Sequence, residues 1–466
     1  MPLFGVNRDI LERLISLALS RGGDYADVFF EYSTSNELTL RDGEVNTVEN
    51  SADYGVGIRV LKDGRTGYAY SESTDMKDME RAALTASCIA DGLCGSAKAI
   101  GFRPVDFIDR YPMKRSWEDF SLLARKEYLQ QINDRAFGLN EYVTKVIANL
   151  AFDHSRILFF NSLGDYYCDE RPVVSLVTSC ILTKGSQSEN ATVSRSFRMG
   201  SEMLTPALQD EICAELSKNI KHLFDAGKPK GGKMPVVMGA GSSGILLHEA
   251  IGHAFEADFN RKGTSIFSDR MGQKICSEKI SVVDDGTLPA NRGSVNVDDE
   301  GVVGQKTYMV KDGILTSYLH DRISAAHYGV APTGNGRRES FRFNPIPRMR
   351  ATYMEDGDCS EEDIIHSVKK GIYVDNFTNG QVEIGAGDFT FYVKSGYLIE
   401  NGRLTAPIKD VNIIGNGPEA LADITAIAAN SRVDNGTWTC GKDQYCLVSC
   451  GMPSVLVKSL TVGGSL

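Results

Sequence analysis

Residues 246–257 read Leu-Leu-His-Glu-Ala-Ile-Gly-His-Ala-Phe-Glu-Ala, and this stretch decides how the whole fold is interpreted. His248 and His253, two of only seven histidines, lie five positions apart. On an ideal α-helix, residues five apart point about 140° away from each other, which is too wide for two imidazoles to bind one metal ion. A π-bulge brings such residues toward one face. The sequence therefore predicts a bulge at Ala250–Gly252 that lets both histidines converge on a metal; the alternative is a regular buried helix with two hydrogen-bonded histidines.

The glycine-rich stretch just before this helix admits two interpretations. Gly239–Gly244 fits the pattern G-x-G-x-x-G, follows a predicted strand at Met234–Met238 and opens a helix predicted over Ser243–Asp258. A dinucleotide site also needs a buried strand ending in an acidic residue about 20 residues later, whereas residues 258–273 are polar. The pattern thus favours a tight strand-to-helix turn, capped by Ser242 or Ser243, over an NAD-binding site.

Further outward, the clearest break in composition is Ala226–Lys233, which is rich in glycine and lysine. Before this break, the sequence predicts a helix that begins after Asn7 and then strands over 26–70, with turns at 41–43 and 62–64. Helices follow near 76–93, 117–137 and 206–225, with long strands between them. After it, strands dominate. The sequence predicts an α+β protein: residues 1–225 form an N-terminal mixed domain of helices and antiparallel sheets, and residues 234–466 form a predominantly antiparallel β domain that carries the metal-site helix.

Composition excludes several classes of protein. The chain has 466 residues, 42% of them hydrophobic, and a formal net charge of −11, which disfavours direct nucleic-acid binding. No window offers the roughly 20 consecutive apolar residues of a membrane-spanning helix. Ten irregularly spaced cysteines in a chain of this size do not indicate a disulfide framework. We expect a cytoplasmic protein with reduced thiols.

Several motifs, in order along the chain, resemble the TldD/PmbA metallopeptidases, and in particular their zinc-bearing TldD half. The resemblance is strongest from about residue 234 onward and weaker before it. It is carried by His248–Ser265, Thr333–Ser340, Pro347–Met349, Gly371–Phe377, Tyr397–Gly402, Cys440–Lys442 and Thr461–Gly464, with weaker similarity at Tyr54–Arg59 and Thr66–Tyr70.

The resemblance implies a zinc site of His248, His253 and Cys440 with an open position for water, and a catalytic role for Glu249 as the base that takes the proton of that water. Iron remains an alternative, because two imidazoles and a thiolate do not select one metal. Cys446 and Cys450 are not part of the family pattern, and we interpret them as packing thiols.

Other polar residues have two interpretations each. Glu256 and Asp258 either orient the metal-binding imidazoles or form a solvated helix end. His320, Tyr318 and an arginine cluster are candidates for stabilising an oxyanion. That cluster forms either a solvated or ion-paired face or a grip on a substrate carboxylate, with Arg338 as the candidate; its members are Arg337, Arg338, Arg342, Arg348 and Arg350.

The resulting hypothesis is a zinc peptidase that cleaves extended or unfolded peptides. The resemblance implies leader-peptide or antitoxin-type substrates, and assembly as a homodimer or as a heterodimer with a homologous metal-free subunit. The alternative is a non-catalytic peptide-binding or scaffolding subunit of such a complex. Retention of His248, Glu249, His253 and Cys440 favours the enzyme.

Overall fold

The computed structural model describes residues 1–90 and 100–463. In the N-terminal half, long antiparallel strands are flanked by helices. The helices are α1 (Arg8–Ala18), α2 (Met76–Ser87), α3 (Leu122–Phe137) and α4 (Pro206–Ile220). The strands are β1 (Tyr25–Arg41), β2 (Glu44–Lys62), β3 (Arg65–Ser71), β4 (Arg103–Pro104), β5 (Val143–Asn161), β6 (Asp165–Lys184) and β7 (Gln187–Phe197).

These strands form one seven-stranded sheet in the order β3-β2-β1-β5-β6-β4, and β7 pairs with β6. The hairpin turns form where the sequence predicts them, because Asp42 with Gly43 and Asp63 with Gly64 all take positive φ angles, as a tight two-residue turn requires. The side chain of Asn7 accepts a hydrogen bond from Ile10 N and caps α1, as predicted. The predicted helix over 76–93 extends in part beyond the described residues.

The C-terminal half is built mainly from strands, with a few short helices. Its helices are α5 (Ile245–Leu247), α6 (Ala257–Arg261), α7 (Arg322–Tyr328), α8 (Glu361–Ser367) and α9 (Gly417–Ala422). Its strands are β8 (Gly232–Met238), β9 (Val282–Asp285), β10 (Lys306–Lys311), β11 (Ile314–Leu315), β12 (Gly336–Arg337), β13 (Ile346–Pro347), β14 (Ala351–Met354), β15 (Lys370–Glu383), β16 (Asp388–Glu400), β17 (Arg403–Asn416), β18 (Ile424–Ile427), β19 (Arg432–Val433), β20 (Thr439–Lys442), β21 (Gln444–Leu447), β22 (Ser449–Met452) and β23 (Val455–Gly463).

Five of these strands close into a ring. The pairing runs β17-β16-β15-β8-β23, and β23 pairs again with β17. Apolar side chains of this ring and of the helical segment after β8 belong to one buried cluster, which includes Val236, Leu246, Phe391 and Val457. The helical segment is therefore held against the ring by the burial of apolar surface.

The structure confirms the predicted α+β class, with helices and antiparallel sheets in the first half and a β-rich second half. Strand β5 runs without a break through His154, because His154 and its neighbours remain in register with β1. The division into domains of residues 1–225 and 234–466 stays a prediction. No helix among the described residues is long and apolar enough to cross a membrane.

A buried charge cluster ties the two halves together. The guanidinium of Arg59, on β2, donates to Asp27 on β1 and to Glu300 in the C-terminal half, and all three side chains are fully buried. Removal of one partner of such a group leaves an uncompensated charge in the interior. The contact between the halves thus depends on matched charges as well as apolar packing.

We expect Arg59→Met to destabilise the protein by about 3–5 kcal/mol, because Glu300 would lose its buried cation and Asp27 would keep only the 3.4 Å contact with Arg338. The matched control is Arg8→Met, which breaks the exposed 2.8 Å ion pair with Glu12 and should cost less than about 1 kcal/mol. Urea unfolding of both variants measures the difference. Equal shifts in the unfolding midpoint would show that the buried cluster contributes nothing beyond a surface ion pair.

Candidate metal centre

Two glycines let strand β8 turn directly into the helical segment. Gly241 has a φ of 93°, which favours glycine, and a Cβ at Gly244 would lie 2.2 Å from the backbone nitrogen of Gly451. The predicted serine cap is wrong: Gly241 occupies the N-cap of the first turn, and no side chain caps it. Ser243 Oγ is instead buried without a hydrogen-bond partner among the described residues.

The predicted bulge is confirmed, since residues His248–Gly252 form a π-helical segment. It is preceded by the single α-turn of α5 and followed by a 3₁₀ turn, His253–Phe255, so the predicted continuous helix over 243–258 is broken into short pieces. The wider turn brings the imidazole centroids of His248 and His253 to 5.1 Å, with the rings nearly perpendicular. Both rings thus converge on one point.

Cys440 completes this cluster from a distant part of the chain. It lies on the β20–β21 hairpin, and its Sγ is 3.1 Å from His253 Nε2. One ligand atom from each of His248, His253 and Cys440 lies within 4.8 Å of the other two, and all three residues are buried. Both ring nitrogens of His248 are buried without a hydrogen-bond partner among the described residues. Two imidazoles and one thiol match the donor set of a metal site. Buried nitrogens normally have a partner, and a bound metal would supply one for His248.

The electrostatics of the cluster suit a metal ligand. Burial opposes ionisation of Cys440, but the positive charges of His248 and His253 and the hydrogen bond from His253 outweigh it and lower the thiol pKa to about 4. Burial likewise opposes protonation of His253, but Glu256 and Cys440 raise its pKa to about 10. The site therefore favours a thiolate beside positive charge, and a cation bound to the three residues would take the place of the protons.

Glu256 is the acceptor that orients His253. Its carboxylate is fully buried and accepts a 2.9 Å hydrogen bond from His253 Nδ1. Lys442 Nζ donates to the same oxygen at 3.1 Å, and Arg348 Nε lies 3.5 Å from the other oxygen. Burial would raise the pKa of Glu256, but Lys442 and His253 hold it well below its ordinary value. The interpretation of Glu256 as a solvated helix end is wrong, because these partners and the hairpin cover it.

Asp258 belongs to the same buried group. It accepts a 2.8 Å hydrogen bond from Lys442 Nζ and is only 8% exposed, so the solvated interpretation is wrong here as well. The charge of Lys442 is thus shared between two carboxylates that follow the π-helical segment.

Lys442 and Arg348 contact the cluster in a way that the sequence analysis did not predict, since it named Lys442 only within a family motif and Arg348 only within such a motif and the arginine cluster. Arg348 Nη2 donates to the carbonyl oxygen of Cys440 at 2.9 Å, and Nη1 donates to that of Gln444 at 2.7 Å. Arg348 thereby fixes both strands of the hairpin that carries Cys440. For Lys442, the sequence feature that could have indicated this role is the motif Cys440–Lys442, in which a cation follows the thiol by two residues.

Glu249 follows His248 within the π-helical segment. Burial raises the pKa of its carboxyl group, and the charges of His248 and His253 partly offset this effect. Strand β15 passes beside it at Gly380, where an added Cβ would lie 3.4 Å from Glu249 Cγ. Glu249 is therefore a mostly buried acid at the edge of the cluster, with a pKa closer to neutrality than that of an exposed glutamate.

The remaining candidates make other contacts. His320 is buried with its ring against Tyr318 and Tyr328, and burial lowers its pKa to about 4. The hydroxyl of Tyr318 donates to Phe267 O. Arg338 lies in the buried charge cluster and contacts Asp27.

The arginine cluster is not a solvated face. Four of its five members, Arg337, Arg338, Arg348 and Arg350, are buried. The fifth, Arg342, pairs with Asp53 and Glu72. The ion-pair interpretation is therefore correct for Arg338, Arg342 and Arg348, whose partners are carboxylates.

The two extra thiols near Cys440 differ in their surroundings. Cys446 lies directly across the hairpin from Cys440 and is buried. Cys450 belongs to the main apolar cluster, where burial raises its thiol pKa. Cys450 thus packs in the core as interpreted, whereas Cys446 lies beside the candidate ligand.

Comparison with known proteins identifies the same family along most of the chain. Residues 26–90 match PmbA/TldA metallopeptidase domain 1, residues 115–222 match the central domain, and residues 231–464 match the C-terminal domain. The C-terminal match contains all three residues of the metal cluster as well as Glu249 and Glu256.

Full-length relatives carry similar descriptions. A metalloprotease TldD homolog of Haemophilus influenzae is 36% identical over 463 residues, which cover 98% of this chain and 96% of that protein. A zinc metalloprotease TldD homolog of Saccharolobus solfataricus is 28% identical, with 97% and 99% covered. The crystal structure of TldE from Thermococcus kodakarensis has a TM-score of 0.75 at 20% identity, covers 98% of this chain and 100% of its own, and thus shares the fold.

We expect Glu256→Gln to weaken zinc binding by about 10–100-fold, because the neutral amide can no longer hold the protonated Nδ1 of His253 with a full charge. Competition against a fluorescent chelator measures the affinity. Glu355→Gln is the control, because Glu355 is paired with Lys306 elsewhere in the structure. Unchanged zinc affinity in the Glu256 variant would mean that the carboxylate does not support the metal cluster.

Proposed function

Because the chain belongs to the PmbA/TldA (TldD) metallopeptidase family, we propose that it is a zinc-dependent peptidase that hydrolyses extended or unfolded peptides. The observation that carries this proposal is the convergence of His248, His253 and Cys440 within 4.8 Å, beside the partly buried carboxyl group of Glu249. Leader peptides and antitoxin-type proteins are the substrates that the family resemblance suggests.

His248, His253 and Cys440 would hold the metal, and Glu256 would keep His253 in the tautomer that presents Nε2 to it. A zinc ion bound there supplies a Lewis acid that polarises the peptide carbonyl and makes water acidic near neutral pH. The name of the Saccharolobus relative supports zinc over iron for this donor set.

Glu249 is the proposed general base. At its carboxylate, it takes a proton from the attacking water and then passes that proton to the leaving amine nitrogen. A base works best when its pKa lies close to the working pH, and burial moves the pKa of Glu249 in that direction. The π-helical segment fixes this residue between the two histidines, so that base and ligands share one rigid element.

A cavity of about 360 Å³ between the two halves supports binding of an extended peptide. Ser242, Phe377 and Trp438 line it, together with residues 190–195 of β7. Among the described strands, β7 pairs only with β6, so one of its edges can accept main-chain hydrogen bonds from a substrate strand. Trp438 is two residues from Cys440, which brings this cavity close to the metal cluster.

We also propose that the protein acts as a dimer, either with itself or with a homologous subunit that lacks the metal ligands. A partner of the same fold, such as a TldE-type chain, fits the structural likeness. The nine cysteines of the described residues are all free thiols, which supports the proposed cytoplasmic location.

We expect Glu249→Gln to lower the rate of peptide hydrolysis by about 10²–10⁴-fold, because the amide cannot accept the proton of the attacking water. The zinc content should stay at the wild-type level, since Glu249 is not a ligand. Cleavage of an unstructured peptide by the wild type and the variant, with metal analysis of both, measures the two effects.

The control is Glu118→Gln, which changes an exposed glutamate far from the cluster in sequence and should leave the rate unchanged. A zinc-loaded wild type that cleaves no unfolded peptide, alone or with its partner subunit, would contradict the peptidase and favour the non-catalytic scaffold. Full activity in the Glu249 variant would remove this residue from the mechanism.

A further inference from the structure

A second cavity, of about 130 Å³, lies beside the hairpin that carries Cys440. Its lining combines β21 with parts of β1, β5 and β6 of the N-terminal sheet. Five arginines contribute to its wall: Arg171, Arg198, Arg337, Arg338 and Arg350. Burial of this many guanidinium groups in a small volume raises the free energy of the folded state unless negative charges balance them.

Two of the five arginines have that balance. Arg171 pairs with Asp169 and Asp299, and Arg338 contacts Asp27. For Arg198, Arg337 and Arg350, no carboxylate oxygen among the described residues lies within 4.0 Å of the guanidinium. These three cations are more than nine-tenths buried.

Two of the three unbalanced guanidinium groups are also incompletely bonded. Arg198 Nε and Arg350 Nη2 are buried without a hydrogen-bond partner among the described residues. Arg350 Nε donates to Gly334 O, while Arg337 donates to Met349 O and Leu447 O, so the partners of these two are neutral carbonyls. Burial and the neighbouring arginines lower the pKa of Arg198 and of Arg350 to about 10, and the more distant carboxylates Asp169, Asp298 and Asp299 do not offset this effect.

The acidic residues of the wall do not supply that anion. Both oxygens of Asp299 are engaged, one by Arg171 and the other by the backbone N–H of Arg338. Glu31 accepts from Phe341 N, and burial raises its pKa to about 7, so it carries only part of a charge at neutral pH. Asp153 and Glu339 lie at exposed positions of the lining.

We propose that this cavity binds a carboxylate group of the peptide substrate. A carboxylate fits the planar fork of a guanidinium through two parallel hydrogen bonds and fits the small volume, whereas a nucleotide would not. The identification of the ligand as a peptide rests on the proposed function.

The position of the cavity agrees with this role. Cys446 lines it and pairs directly with Cys440 across the hairpin, so one strand separates the cavity from the metal cluster. Neighbouring strands lie about 4.8 Å apart, and an extended peptide advances about 3.3 Å per residue. A peptide anchored here by its carboxylate therefore has other residues within reach of the cluster.

The test is a calorimetric titration of the full-length Glu249→Gln protein, which leaves the peptide intact, with N-acetyl-Ala-Ala and with its C-terminal amide. We expect the free acid to bind about tenfold more tightly than the amide, since hydrogen bonds between charged groups contribute about 1.5–3 kcal/mol. Arg198→Met should abolish this difference, and Arg156→Met, a control on strand β5 that does not line the cavity, should preserve it. This dependence on Arg198 separates the cavity from carboxylate binding at the metal.

Arg198→Lys is the second variant, because it keeps the charge in case Arg198→Met disturbs folding, and it should bind the acid with intermediate affinity. Equal binding of acid and amide, or a tenfold difference that survives in both Arg198 variants, would overturn the proposal. Binding of inorganic phosphate without binding of the acid would also overturn it. If wild type cleaves no peptide but the Arg198-dependent difference is present, the peptidase proposal fails and the carboxylate site stands.

Discussion

The candidate site depends on the ion pairs made by one fully buried carboxylate, that of Glu256. An ionised acid in the interior is unstable unless it has charged partners, and here the partners come from three separate parts of the chain. His253 lies on the helical segment, Lys442 on the hairpin, and Arg348 just after β13. Each of these parts contributes one cation to the same carboxylate. The relative positions of the metal ligands are therefore set by the requirement to neutralise the charge of Glu256.

Local geometry explains what the sequence predicted about the site. The five-residue spacing of His248 and His253 conflicts with a regular helix, and a π-turn is the local solution that needs no knowledge of the rest of the fold. The turn residues at 42–43 and 63–64 were predictable for the same reason, because each hairpin depends on a few adjacent residues. The serine cap was the exception, since close contact between Gly244 and Gly451 determines how the chain enters the helical segment.

Contacts between distant residues explain what the sequence did not predict. Lys442 reaches Glu256 across 186 positions, and the closure of the strand ring depends on β23 meeting both β8 and β17. The burial of the arginine cluster was not predictable from the sequence for the same reason. The positive charge of the cluster is evident in the sequence. Its burial depends on carboxylates such as Asp27, which lies more than three hundred positions before Arg338. Family resemblance supplied Cys440, which spacing alone could not identify.

The distance along the chain between two of the proposed ligands has a consequence during protein synthesis. Cys440 lies 187 residues after His253. At about 5–20 residues per second, roughly 10–40 s pass between the synthesis of the two. Throughout that interval, the nascent chain carries both histidines and Glu249 but no thiolate to complete the cluster. During that interval the emerging chain therefore has no complete three-residue cluster of its own, although it is already exposed as an extended peptide.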